Sequence, residues 1–179
     1  VTITGSDFSA VFTNGILSSY YHQEKQLISS DILLNAFRLP TDNDKTKTGN
    51  WDNMGLRMLN YSLDNTDAAL DIDGKRASVK TECTYTGTNG TAFNVNQQYT
   101  ILNDGTIIVN NIIDPAQKGV VLPKLGFRLG MPQSFNKMQW FGRGPWDSYK
   151  DRRESAFEGV YSSTVEPVSY THLTLPTTP

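Results

Sequence analysis

A single cysteine, Cys83, leaves no intrachain disulfide to form and keeps the redox compartment open. Histidine is nearly as scarce, with His22 and His172 the two present. One Cys and two His do not make the usual Cys/His zinc set. A Ser-His-acid triad would have to draw on His22, which sits among Tyr20, Tyr21, Gln23 and Glu24 at the expected end of a hairpin strand and reads as a surface side chain. Charge of one sign is missing too. The chain has 16 Lys and Arg against 18 Asp and Glu, and its one basic cluster, Lys150, Arg152 and Arg153, is interrupted by Asp151. That pattern gives no electrostatic footprint for nucleic acid or for a membrane surface. No apolar run approaches the roughly 20 residues needed to span a bilayer as a helix. Residues 1–5 have no signal-peptide character and no initiator Met, which fits a piece of a longer chain. A phosphate loop is lacking as well, because Gly142-Arg143-Gly144-Pro145 is followed by neither Lys-Ser/Thr nor a helical pattern.

What the chain does have is a period of two, broken by turn residues. Residues 8–12 alternate, Asn14-Gly15 follows, and residues 16–21 return as a second strand. Asn-Gly tolerates positive φ at both turn positions, so it is a strong hairpin signal. Asn89-Gly90 between residues 84–86 and 92–95, and Asn103-Asp104-Gly105 between residues 97–102 and 106–113, repeat the device. Residues 125–130 and 138–141 add two further strands. No stretch of about 12 residues carries a helical apolar stripe; residues 31–37 would give a turn or two of helix at most. Many short strands with Gly/Asn turns predict an all-β antiparallel sandwich. Residues 38–50 and 142–149 resist strand assignment and read as loops, where binding groups sit on a rigid sandwich.

Candidate chemistry gathers in those loops. Asp42, Asn43 and Asp44 form the densest cluster of oxygen-bearing side chains. Such a cluster can cap its own turn, bind sugar hydroxyls or coordinate a hard cation. Trp51, Trp140, Trp146 and Tyr149 could stack on a sugar, but in a β protein tryptophans more often anchor loops or core. Arg143, Asp147, Asp151 and Arg152 surround one turn and read as a mutually paired structural loop with Tyr149. Residues 168–179 contain no Lys, Arg, Asp or Glu. Their back-translation resembles a transposase sequencing adapter read in frame, so this tail is expected to be non-native and disordered. His172 is excluded from any site on that ground.

The same two loops carry a family resemblance. Arg38-Leu39-Pro40-Thr41-Asp42-Asn43-Asp44 resembles the Arg-x-Pro-x-Asp-Asn-Asp signature in the C-terminal domain of family-two β-galactosidases. Gly142-Arg143-Gly144-Pro145-Trp146-Asp147-Ser148-Tyr149-Lys150-Asp151-Arg152 resembles that domain's second signature, Gly-x-Gly-Pro-x-Glu-x-Tyr-x-Asp-Arg. Asp147 stands where the family usually has Glu, and Ser148 where Asn is common. The resemblance covers residues 1–167, read as part of the C-terminal domain. The family's domain continues further and includes a tryptophan that stacks on the galactosyl group.

The resemblance implies an incomplete antiparallel sandwich of the galactose-mutarotase-like type, placed beside a catalytic TIM barrel that holds both glutamates. Retaining hydrolysis needs two carboxyls about 5–5.5 Å apart, and this chain supplies no such pair. Its implied role is non-catalytic: it helps wall the pocket of a β-galactosidase that hydrolyses terminal β-D-galactosides. Arg38, Asp42, Asn43 and Asp44 are the rim candidates; Arg143, Asp147, Tyr149, Asp151 and Arg152 form the structural loop. The implied partners are a galactoside, through the parent enzyme, and other domains of the same polypeptide. No metal or cofactor site is expected in the chain itself, with a Ca²⁺, Mg²⁺ or Na⁺ ion in the parent enzyme left open. Bacterial cytoplasm and periplasm both remain open as locations. The alternatives are a stand-alone carbohydrate-binding β-sandwich module, a mutarotase-like epimerase, which would need a histidine and a carboxylate across one groove, and a purely structural sandwich.

Overall fold

The computed structural model describes residues 1–40, 44, 48–117, 119, 121–145 and 154–165. The chain forms two compact units, residues 1–131 and residues 132–179.

In the first unit, β1 (Thr2–Thr4), β2 (Phe8–Thr13), β3 (Ile16–His22) and β4 (Lys25–Ile28) form an antiparallel sheet in chain order. β5 (Ser30–Asn35) follows, then the short helix α1 (Thr48–Asn53). A second four-stranded sheet contains β6 (Asn60–Leu70), β7 (Arg76–Thr86), β8 (Ala92–Leu102) and β9 (Ile107–Pro115), also in chain order. β10 (Gly126–Gly130) returns to pair with β5. Among the described residues of this unit the architecture is an antiparallel β-sandwich with no closed barrel, because the strands bury one face of each sheet against the other.

Alternation sets which face is buried. Ala77, Val79, Thr81, Cys83 and Tyr85 of β7 point inward, while Lys80 and Glu82 between them are exposed. Phe93, Val95, Gln97, Tyr99 and Ile101 do the same on β8. A slip of one residue would carry Lys80 and Glu82 into the core, so the register is strongly specified. Each large apolar side chain buried this way stabilises the fold by about 1.5–3 kcal/mol.

Two apolar clusters result. Phe8, Phe12 and Leu17 of the first sheet meet Val79, Tyr99 and Ile101 in one, with Phe12 edge-on to Tyr99 at 5.0 Å. Leu34, Trp51, Met54 and Leu56 meet Tyr85, Phe93 and Val95 in the other. Between them a polar row crosses the second sheet: Thr66 faces Thr81, Thr81 faces Gln97, and Gln97 faces Asn111. Thr81 and Gln97 are buried. Thr81 Oγ1 donates to Gly15 O at 2.8 Å, and Gln97 Nε2 donates to Asn111 Oδ1 at 2.9 Å.

The hairpin turns also tie the layers together. Asn14 (φ 48°) and Gly15 (φ 75°) make the β2–β3 turn, which receives Thr81 Oγ1 and the Tyr61 hydroxyl from the opposite sheet. Reciprocally, the Tyr20 hydroxyl of β3 donates to Gly105 O at the β8–β9 turn. Each layer therefore fastens the other layer's turn.

Three sequence expectations change. Residues 31–37, read as at most a turn or two of helix, belong mostly to β5, because Ile32 and Leu34 alternate inward and β10 supplies a partner. The helix α1 begins inside the stretch read as loop, residues 38–50, and runs past it to Asn53. Trp51 and Met54 lie one turn apart and both are buried, and Gly55 at φ 69° ends the turn. In the second unit, β11 (Lys137–Gly144) pairs with β12 (Phe157–Thr164), so Gly142, Arg143 and Gly144 are strand residues opposite Gly159, Glu158 and Phe157. Small residues suit that position, since a Cβ at Gly144 would lie 2.7 Å from the Tyr161 ring.

Candidate functional site

The loop after β5 is built around Arg38. The side-chain oxygen of Asn35 accepts a hydrogen bond from the Phe37 amide at 3.1 Å and turns the chain out of the strand. Arg38 Nε then donates to Pro123 O at 3.1 Å, and Nη1 donates to Leu39 O at 3.0 Å and to Asp44 Oδ2 at 2.6 Å. The guanidinium carbon also stands 5.6 Å from the centre of the Trp51 ring. Trp51 is only 2% exposed, and its indole N–H donates to Val121 O at 3.0 Å. A planar guanidinium suits this role because it distributes several donors in fixed directions over a carboxylate, carbonyls and a ring.

The first and last residues of the Arg-x-Pro-x-Asp-Asn-Asp motif are thus joined by an ion pair. The Arg38 side chain is 31% exposed and that of Asp44 is 13% exposed. Partial burial strengthens the pair relative to a solvated one. Asp42 and Asn43 lie outside the described residues. Next to this loop, Arg57 stacks over Phe37 at 4.4 Å and pairs with Asp52 at 2.7 Å.

The second motif is anchored at Arg143. Its Nη1 donates to Ala156 O at 2.9 Å, and its Nη2 lies 3.7 Å from Glu158 Oε1. Trp140 Nε1 donates to Arg143 O at 3.3 Å, with the Trp140 and Tyr161 rings 5.6 Å apart. Asp147, Tyr149, Asp151 and Arg152, with Trp146, lie outside the described residues, as do residues 166–179. Trp51 and Trp140 act here as anchors, each spending its N–H on a backbone carbonyl.

Burial pushes the Cys83 thiol up to about 11, with the Asp64 carboxylate adding to the shift, so at neutral pH the thiol is protonated and a poor nucleophile. His22 lies 3.6 Å from Asp7 and stacks on Tyr20 at the end of β3. Among the described residues no group of three or more His, Cys, Asp or Glu side chains converges as a metal site.

Sequence reasoning missed Pro123, Val121, Arg57 and Glu158. Pro123 and Val121 contribute backbone carbonyls, which carry no signature in the sequence. Trp51 and Met54 at helical spacing were the legible signal that something holds this loop down.

Comparison with known proteins agrees with these two motifs. The β-galactosidase small chain family matches residues 4–177. That match runs past residue 167, the end of the sequence resemblance, into residues 168–177, which lie outside the described residues. The β-galactosidase of Priestia megaterium is 24% identical over 174 residues, covering 93% of this chain and 16% of that protein. The β-galactosidase of Actinobacillus pleuropneumoniae is 29% identical over 158 residues, covering 85% of this chain and 15% of that protein. The β-galactosidase of Clostridium acetobutylicum is 28% identical over 174 residues, covering 92% of this chain and 18% of that protein. The chain thus spans less than a fifth of the length of these curated relatives, and by the extent of its match it belongs to the β-galactosidase small chain family.

Proposed function

We propose that this chain is a non-catalytic part of a β-galactosidase, walling the pocket in which a catalytic domain of the same polypeptide hydrolyses terminal β-D-galactosides. Residues 38–44 form the rim. The observation that supports this placement is the 2.6 Å pair between Arg38 and Asp44, which closes the motif on itself and braces it against Trp51 and Pro123. Arg38 and Asp44, held by these contacts, have little side-chain freedom left to lose, and such preorganisation favours binding. Asp42 and Asn43 fall between the two anchors in sequence; their carboxylate and amide suit sugar hydroxyls, and the same oxygens suit a hard cation.

The experiment is made in the full-length enzyme with a chromogenic galactoside. Asp42→Ala and Asp44→Ala are expected to lower kcat/KM by about 10-fold or more, equivalent to about 1.4 kcal/mol of transition-state stabilisation. The rim reading is lost if both variants keep wild-type turnover and stability. Dialysis against a chelator, followed by Ca²⁺, Mg²⁺ or Na⁺ titration of the same enzyme, reports whether a cation acts with these residues.

A further inference from the structure

A cavity of about 260 Å³ opens where the end of α1, the β7–β8 turn and the chain after β9 meet. Its walls carry the side chains of Asn50, Asn53, Asn89 and Gln117, with Met54 and Val121 supplying apolar surface. Among the described lining residues none is charged.

The walls are braced by backbone contacts. The Thr88 amide donates to Met54 O at 2.9 Å, and Thr88 Oγ1 and Asn89 Nδ2 both donate to Asn53 O. Gln117 Nε2 reaches Asn89 O at 3.2 Å and ties in the third wall. A left-handed Asn89-Gly90 turn, with φ of 54° and 76°, holds Asn89 in place. The side-chain amides of Asn50 and Asn53 line the cavity and make no hydrogen bond with any described residue.

We propose that this cavity is a subsite for one neutral sugar ring. A carboxamide offers a donor and an acceptor side by side, which matches adjacent hydroxyls that each donate and accept. Among the described lining residues an anionic or cationic ligand finds no opposite charge to offset its desolvation. Met54 and Val121 can meet the C–H face of a pyranose. The volume lies just under the roughly 300–1,000 Å³ of ordinary ligand sites, which suits one ring rather than a chain of them. The subsite uses none of residues 38–44 and does not rest on the rim reading.

The test is saturation-transfer NMR of methyl β-D-galactopyranoside with the 179-residue chain, read on the sugar's own protons so that self-association of the chain does not hide the signal. Saturable binding with a Kd of about 1–10 mM is expected for a site with this few contacts. Galacturonate is expected to bind at least about 10-fold more weakly for want of a counter-charge. The Asn50→Ala, Asn53→Ala double variant should lose the response, while the exposed control Asn110→Ala on β9 keeps it. Both replace exposed side chains, and circular dichroism checks that both retain the wild-type β signal. No response at about 100 mM sugar, equal binding of galacturonate, or an undiminished response in the double variant would each overturn the proposal. Because the rim reading is tested by turnover in the full-length enzyme, the two can fail separately.

Discussion

Gly15 concentrates several constraints at one residue. Its φ of 75° lies in the region that side chains avoid, its carbonyl receives the Thr81 hydroxyl, and a Cβ there would lie 2.7 Å from Thr81 Cγ2. Gly15→Ala is therefore expected to cost about 1–3 kcal/mol, read as a lower midpoint in thermal or urea unfolding; an unchanged midpoint would show that the turn and Thr81 move apart freely. Arg38 is the other such residue. Arg38→Lys keeps the charge but cannot reach Pro123 O, Leu39 O and Asp44 together, and it loses the flat contact with Trp51. A loss of about 1–2 kcal/mol is expected in the same melt, with the Trp51 fluorescence changing before the midpoint as the loop loosens. Arg38 was legible in the sequence as a candidate, because the motif named it. Its partners were not, because two of the three are backbone carbonyls.

The second sheet is the element that most constrains the fold. Its inner face carries Tyr61, Cys83, Tyr85 and Tyr99, and burial raises the pKa of every one, Cys83 to about 11 and Tyr85 to about 12. Tyr20, packed against the sheet from β3, shifts the same way. An acid whose folded pKa lies above its unfolded value holds its proton more tightly in the native state. Between the two values the unfolded chain has released more protons, so stability falls as pH rises. The contribution is intact below about pH 9, the ordinary thiol value, and is lost as pH climbs through about 11 to 12. Unfolding midpoints should therefore hold level from pH 7 to 8.5 and drop steeply above pH 10; a level profile to pH 11.5 would mean that these groups titrate freely. The hairpins of this sheet were legible because Asn-Gly and Asp-Gly turns announce them locally. β5 and β6 were not. β5 finds its partner in β10, about ninety residues on, and the outer half of β6 is exposed throughout and has no period-two alternation.

At the scale of the whole molecule, apolar side chains stand open along strand edges. On β9, Ile108 and Ile112 are exposed, Ile112 by 63%, and among the described residues β9 bonds to β8 on one side only. In the second unit, Phe141 and Val160 face one another across β11 and β12 at 79% and 64% exposure. Unpaired strand edges beside apolar side chains template further strands. The chain by itself is expected to self-associate above micromolar concentration, and Ile112→Lys with Val160→Lys should shift light scattering towards the monomer. A monodisperse wild-type monomer with a sharp melt would contradict this.

The sequence by itself determined the strand period, the positions of the hairpin turns and the two motifs that mark the family, because each is written in consecutive residues. Tertiary structure alone decided that a short helix forms at Trp51, that Gly142–Gly144 extend a strand, that Arg38 meets Pro123, and that four carboxamides from three parts of the chain share one cavity. Those outcomes depend on contacts between residues far apart in the chain, whose energies appear only once the sheets have brought them together.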